Sequence, residues 1–318
     1  MPRSGATRFT DAADYQASVR GANFNLVFGC QQGFKARLTW LELRHLRLLR
    51  GQENLPRVAN VSFSSERVFV SVPTRHDPPP ISDGVEVLSG DIVFHSRGER
   101  VHQRTRGPSQ WGLISLAPEH LAACSRVLTG FDLAWPPVAR ILRPPRIDAA
   151  RLLRQHAEAC RLAETKPEMI AHREVARALE QDLLHTLVNC LTGTDVDNYS
   201  ARKRHNANII ARFESVSAAH SERHLKIPEL CAAIAVPERT LRMCCAEVFG
   251  ISPGRYLRLR RLNMAHAALR RSDPATASVA DVAREYGFSE FGRFAAIYRT
   301  MFGETPSTTL RRARITRP

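Results

Sequence analysis

The residues best suited to chemistry in this chain are arginines. Arg239 and Arg242 lie three apart in ERTLRMCCAEVF (238–249), where Leu241, Cys245 and Val248 recur at helical spacing. On a helix with that apolar stripe, both guanidinium groups project from the opposite side, beside Met243. A guanidinium is a planar fork of donors that pairs bidentately with a phosphate or with the O6 and N7 edge of guanine. Met243 offers apolar contact only, for example to a thymine methyl. Bond-making chemistry has no comparable candidate. The sequence holds no nucleophile–base motif, no Gly-rich phosphate loop and no His-x-His pair.

Charge points the same way. The 318 residues carry a net charge of +15, unevenly spread. Residues 201–318 hold 21 Lys+Arg against 10 Asp+Glu, while the first 200 hold 25 against 21. A basic final third on a nearly balanced remainder implies a polyanion partner for that third. The seven cysteines are scattered, odd in number and lack a Cys-x-x-Cys pair, which argues for reduced thiols and against a disulfide framework or a zinc site. No metal and no cofactor are expected. No apolar run approaches the ~18 residues of a membrane span, and MPRSGATRFTDAADYQ has no apolar signal core. The expected location is the cytoplasm, away from any membrane.

The elements that must position the arginines come in two copies. VFGISPGRY (248–256) and MFGETPSTT (301–309) repeat Phe-Gly-x-Ser/Thr-Pro at an interval of 53 residues. Before the first lie a short helix, IPELCAAIA (227–235), a break and the helix bearing Arg239. Before the second lie SVADVAREY (278–286), with Ser278 as N-cap and Asp281 completing a capping box, and then GFS and EFGRFAAIYRTMF, with Ser289 as N-cap. Gly250 and Gly303 sit where helix ends require a positive φ. Phe294 corresponds to Leu241. Two helices with a tight turn, the second carrying arginines, form a helix-turn-helix. RYLRLRRLNMAHAALRR (255–271) reads as a connecting helix, with Arg255, Arg258, Arg260 and Arg261 outward and Leu257, Leu262, Ala265 and Leu269 inward. Its 17 residues span about 25 Å. With the flanking turns, that suits two recognition helices in successive major-groove segments about 34 Å apart.

PERTLRMCCAEVFGISPGRYLRLRRLNMAHAAL followed by VADVAREYGFSEFGRFAAIYRTMFGETP resembles the DNA-binding domain of the AraC/XylS family of bacterial transcription regulators. The likeness covers about 207–312. It implies promoter binding by a domain of about seven helices, with base contacts at Arg239, Arg242 and Met243. The chain departs from the family pattern at Pro237, Gly292 and Ala296, and its TPSTTLRR lacks a closing Tyr-Arg. At the second copy's equivalent positions, Gly292, Ala295 and Ala296 offer no donors, leaving Ser289, Arg293 and Arg299. Copy one is therefore expected to read sequence, and copy two to grip backbone and shape.

The first part of the chain has a different texture. From about 22 to 135, short runs rich in Val, Ile, Phe, Leu and Trp alternate with turn signals such as RHDPPPISDG, which predicts an antiparallel barrel or sandwich. LSGDIVFHSRGERVH (88–102) resembles a cupin segment, and with this DNA-binding domain the region resembles the family's sensor domains. Two amphipathic helices are expected at about 146–192, with stripes including Ile147, Ala150, Leu152 and Leu153, then Val175, Leu179, Leu183 and Leu187. Residues 1–20 read as a loose leader and 192–206 as a linker ending in Arg202-Lys203-Arg204.

The expected architecture is α+β multidomain. A cupin-like antiparallel β-barrel (about 22–135) with two helices forms a sensor and dimerisation domain over 1–195, and an all-α double helix-turn-helix domain spans 205–318. The partners expected are double-stranded DNA, a small organic effector, a second copy through the N-terminal region and RNA polymerase. Trp40, Phe94, His95, His102 and Trp111 are the candidate effector contacts. An alternative is an effector-independent regulator whose barrel only dimerises. An alkyl-acceptor repair protein with the same DNA-binding domain would need four zinc cysteines near its N-terminus, and only Cys30 lies in the first 120 residues.

Overall fold

The computed structural model describes residues 2–74, 78–192, 195–197, 201–220 and 225–312, with 195–197 and 201–204 described by backbone alone. The strands are β1 (Arg3–Phe9), β2 (Ala22–Phe28), β3 (Ala36–Glu42), β4 (Leu46–Glu53), β5 (Arg57–Phe63), β6 (Val68–Pro73), β7 (Ile81–Ser82), β8 (Val85–Glu86), β9 (Ile92–Phe94), β10 (Arg100–Arg104), β11 (Ser109–Leu116), β12 (Arg140–Arg143) and β13 (Asp195–Asp197). The helices are α1 (Ala12–Ser18), α2 (Pro118–Thr129), α3 (Arg146–Thr165), α4 (Pro167–Ala171), α5 (Arg173–Thr192), α6 (Ala201–Ala219), α7 (Ile227–Ala233), α8 (Glu238–Val248), α9 (Pro253–Arg271), α10 (Val279–Glu285), α11 (Phe291–Phe302) and α12 (Pro306–Arg312).

The antiparallel β region expected from the short apolar runs is present as two sheets and not as one closed barrel. Sheet A has the order β1-β3-β4-β11-β6-β9-β12-β13, and sheet B the order β2-β5-β10-β7-β8. Strand alternation decides what each side chain meets. On sheet B, Phe24, Val61, Val101 and Gln103 point inward to a cavity also lined by Val72, Val93 and Leu113 of sheet A. The intervening Val27 and Val58 point outward and pack on the C-terminal helices. The outer face of sheet A, with Leu46, Leu48, Val70 and Ile114, is covered by Leu121 of α2, Leu152 and Cys160 of α3, and Leu183 and Leu187 of α5.

A buried ion pair ties the sandwich together. Arg57 Nε donates to Glu53 Oε2 at 2.9 Å, and Tyr15, Ser109 and Trp111 donate to the same carboxylate. Burial alone would raise the Glu53 pKa, but Arg57 and these donors hold it below the usual carboxylate range.

Several expectations are revised. Residues 3–9 are not a loose leader but edge strand β1, paired antiparallel with β3 from Arg3↔Glu42 to Phe9↔Ala36. Helix α1 follows, its N-cap Asp11 accepting from Ala13 and Asp14. A polar edge strand with one covered face carries a weak apolar signal, which explains the misreading. On α3 the buried stripe is Ala149, Leu152, His156, Ala159, Cys160 and Ala163, whereas Ile147 is 78% exposed and Ala150 faces solvent. Small and polar residues fill the inward face there, so apolar residues alone mislocate it. In the expected linker, Asp195–Asp197 pairs as β13 with β12. Positions 193–194 and 198–200, the side chains of Arg202, Lys203 and Arg204, residues 75–77 of the Pro-rich turn, and 313–318 all lie outside the described residues. Among the described residues, no helix is long and apolar enough to cross a membrane.

Candidate nucleic-acid interface

The first helix-turn-helix unit comprises α7 and α8. Its first turn is capped by the Glu229 carboxylate, which accepts from Lys226 N at 2.7 Å. The turn passes through Ala235 at φ +51°, an uncommon left-handed conformation for alanine. Helix α8 buries Leu241, Cys244, Cys245 and Val248. Gly250 at φ +71° ends it, and Phe249 stacks on Tyr256 of α9, ring centroids 3.8 Å apart. That buried stripe leaves the opposite face to Arg239, Arg242 and Met243, all exposed. Arg242 rests on Glu238 one turn back, Nε and Nη2 donating to Oε1 at 2.9 and 2.5 Å. Both partners are substantially exposed, so this pair is worth about 0.3–0.5 kcal/mol, less than a bidentate guanine contact.

The second unit comprises α10 and α11. Ser278 caps α10 as the sequence suggests: its hydroxyl accepts from Asp281 N at 3.0 Å and donates to the Asp281 carboxylate at 2.5 Å. Helix α11 buries Phe294, Tyr298 and Met301, and Phe294 is as fully enclosed as its counterpart Leu241. Ser289 is not its cap. The N-cap is Glu290, which makes no side-chain capping bond, and Ser289 stays exposed one residue outside. The outward face carries Gly292 and Ala296, with Ala295 half-buried. Arg293 is exposed, 3.8 Å from Glu290, and Arg299 is exposed in the last turn. The two outward faces thus differ as their residue types dictate: α8 presents two guanidinium forks, and α11 presents bare backbone flanked by charge.

Helix α9 joins the units and buries Tyr256, Leu262, Ala265, His266 and Leu269. Leu257 is half-buried, and Arg255 and Arg258 face solvent. Arg261 instead covers the Phe288 ring at 5.4 Å, and burial lowers its pKa.

The five candidate effector residues separate. His95 and Trp111 line the inter-sheet cavity. His95 is held there between Ser71 Oγ (2.7 Å) and Glu99 Oε2 (2.9 Å). Trp40 lines a different cavity, of about 290 Å³, with Thr7, Leu38 and Leu49. Phe94 alternates with the cavity-facing Val93 and packs on the opposite side of sheet A. His102 likewise alternates with Val101 and Gln103, so its ring leaves the sandwich altogether. It meets Glu214 of α6 at 2.7 Å and the edge of the Phe249 ring at 5.2 Å. Period-two alternation, applied from Val101, places His102 outside from the sequence alone.

Around His102 lies a buried polar cluster that sequence reasoning missed. Glu214 Oε2 also accepts from Asn60 Nδ2 at 2.8 Å, and Glu214 Oε1 accepts from the Tyr256 hydroxyl. Asp83 Oδ1 lies 3.5 Å from His102 Nδ1 and accepts from the His102 backbone at 2.9 Å. Burial disfavours the imidazolium, but hydrogen bonds and charge from Asp83 and Glu214 outweigh it and raise His102 to about 9. Burial raises Glu214 in turn, and His102, Tyr256 and Arg260 bring it below the usual range. The only sequence signal was Glu214 itself, a lone acid within IIARFESV.

The helix-turn-helix domain family matches residues 230–312, across both units. Among curated proteins, the probable thc operon regulatory protein of Rhodococcus erythropolis is 34% identical over 93 residues, covering 29% of this chain and 28% of that protein. The XylDLEGF operon transcriptional activator 2 of Pseudomonas putida is 37% identical over 91 residues, 28% of this chain and 57% of that protein. The helix-turn-helix region is of the AraC/XylS type. The chain spans under a third of the first relative's length and just over half of the second's, so the likeness rests on the DNA-binding domain. Among solved structures, a probable AraC family regulator from Rhodopseudomonas palustris CGA009 is 38% identical over 35% of this chain and 99% of that one, with a TM-score of 0.30. The AraC-like transcriptional activator CuxR covers 89% of this chain and 99% of its own at 15% identity, with a TM-score of 0.42.

Proposed function

We propose that this AraC/XylS-family chain is a sequence-specific, DNA-binding transcription regulator whose N-terminal domain senses a small organic effector. The observation that carries the reading is the outward face of α8. Arg239, Arg242 and Met243 stand exposed on a helix whose other side is fully buried. In this reading unit one reads bases through Arg239, Arg242 and Met243. Unit two contributes Ser289, Arg293 and Arg299 to backbone and shape. Selection of binding sites from a random DNA pool at about 150 mM salt tests it. One sharp and one degenerate half-site is the expected motif. A motif equally sharp in both halves refutes the division of labour, and no motif refutes sequence-specific binding by the chain without effector.

The effector reading draws on sheet B, whose inner face lines a cavity while its outer face carries the DNA-binding helices. The domain limits 1–195 and 205–318 and a cytoplasmic location belong to the same proposal. So does a homodimer through the N-terminal region, where Val127, Phe131 and Ile147 are 85%, 78% and 78% exposed. RNA polymerase is the further partner an activator would need. The effector-independent alternative also has an observation in its favour. The inter-sheet cavity is about 50 Å³, well below the ~300 Å³ at which organic-ligand pockets begin. Thermal melts against small-molecule libraries decide between them, since a ligand at 100 times its Kd adds about 2.7 kcal/mol.

A further inference from the structure

The two helix-turn-helix units do not share a core. Phe213, Leu230, Leu241, Val248 and Tyr256 form one cluster, while Val282, Phe294, Tyr298, Met301 and Leu310 belong to another. Helix α9 runs between them, with Leu259 packed against both. A single helix fixes separation along its axis, yet each unit can still tilt about the turn that joins it. Two recognition helices that must enter one DNA duplex need that tilt fixed as well.

Among the described residues, the other structure that touches both units is the β domain. At unit one, His102 Nε2 meets Glu214 at 2.7 Å and Asn60 donates to the same carboxylate. Arg104 lies across Gly250, so close that a Cβ there would strike the guanidinium. At unit two, the turn between β2 and β3 reaches the end of α11. Gln31 N donates to Met301 O at 2.7 Å, and Gln31 Nε2 donates to Asn263 of α9 at 2.5 Å. Gln32 covers Gly303. Farther along α9, Arg270 is paired with Asp11 and with Asp14.

We propose that the β domain is a brace for DNA reading, in which His102 and Gln31 are positioning residues that fix the mutual orientation of the two recognition helices. The consequence for DNA rests on the regulator reading above; the brace itself does not. One contact at Glu214 beside unit one and one at Met301 and Asn263 beside unit two, both made by the β domain, remove the tilt that α9 alone permits. Both residues lie more than 100 positions before the helices they hold, so the DNA-reading geometry is built from the whole chain.

Spin labels at Ala246 of α8 and Ala296 of α11, both exposed, report that orientation by pulsed electron paramagnetic resonance, in a full-length Cys30→Ser/Cys124→Ser background that removes the two accessible thiols. One narrow distance distribution is expected. The double variant His102→Gln/Gln31→Ala should broaden it, and an unchanged narrow distribution overturns the brace. Should the double variant melt without cooperativity, Gln31→Ala alone is measured in its place. Its half-exposed side chain belongs to neither core; the variant removes the bond to Asn263 while the backbone bond to Met301 stays, and it too must broaden the distribution. On DNA, a one-base-pair insertion between the two contacted segments of a selected site should cost the parent protein about tenfold in affinity and the variant under about threefold. Equal losses overturn the proposal. If selection yields no motif, sequence-specific binding without effector fails, and the distance measurement still decides the brace.

Discussion

Raising the pH should unfasten the β domain from the first helix-turn-helix unit through a single proton. His102 titrates near 6.5 in an unfolded chain and at about 9 in the fold. That difference corresponds to about 3 kcal/mol, of the order expected when one partner of a buried pair is lost. The folded value is the higher one, so the stabilisation is complete below pH 6.5 and fades as pH rises through 9. Linkage has most of it still present at pH 7 and about 1 kcal/mol less at pH 8. Glu214 does not blunt the effect, because its pKa is lowered and it stays ionised throughout this window. Asp83, Tyr256 and Arg260 are the other ionisable groups facing the pair. Burial and the Glu214 carboxylate push Tyr256 well above its usual value, so the tyrosine remains neutral. The assay is urea unfolding between pH 6 and 9.5 for the parent protein and for His102→Gln. The two curves should converge as pH rises, with their difference shrinking by about 1 kcal/mol between pH 7 and pH 8. Other groups that titrate in this range cancel in that difference. Parallel curves would refute the buried imidazolium and the clasp built on it.

Three further outcomes follow from the same geometry. Arg242→Ala should relax selectivity at one base pair by about 1–3 kcal/mol in competition binding, whereas Glu238→Ala frees the fork and tightens binding up to about twofold. Arg299→Ala should weaken all sequences alike and flatten the salt dependence of binding by about one unit of slope, measured by titration from 50 to 200 mM salt. Gly51→Ala should destabilise by about 1–3 kcal/mol in thermal melts, because the Trp111 indole lies across Gly51 where a Cβ would stand and also donates to Glu53.

The C-terminal half was legible because its signals are local. Ser278, Gly250 and Gly303 each act on their own turn, and the stripe of Leu241, Cys245 and Val248 sits within one helix. The repeat at 53 residues supplied the pairing of the units. The β region was legible as a class and not in its details. Strand β1 depends on pairing with residues some 30 positions away, and nothing in RSGATRF announces that. On α3 the inward face is built from alanine, cysteine and His156. That histidine donates from Nε2 to Leu49 O at 3.2 Å, and burial lowers it to about 4. A helix buried through such residues hides its orientation from an apolar count. His102 and Phe94 failed for another reason: they were weighed by residue type, while alternation along the strand decides which face each occupies.

The contact between the β domain and unit one divides adhesion from register. Val27 and Val58 bring apolar surface to Ile210 and Phe213, and such contact is non-directional. A slide of one strand residue would change the area buried only modestly. Glu214 is directional. One of its oxygens takes Asn60 from β5 and His102 from β10, and the other takes Tyr256 from α9. Moving sheet B by one residue would replace both strand donors with inward-facing neighbours and leave a buried carboxylate short of partners. An unpaired buried charge costs several kcal/mol, whereas the intact pair adds little over an apolar substitute. Glu214 is therefore placed to reject wrong dockings more than to strengthen the right one. It does so on strands whose other face lines the cavity, where Val101 and Gln103 flank His102. Any shift of β10 large enough to admit a ligand must be felt at Glu214.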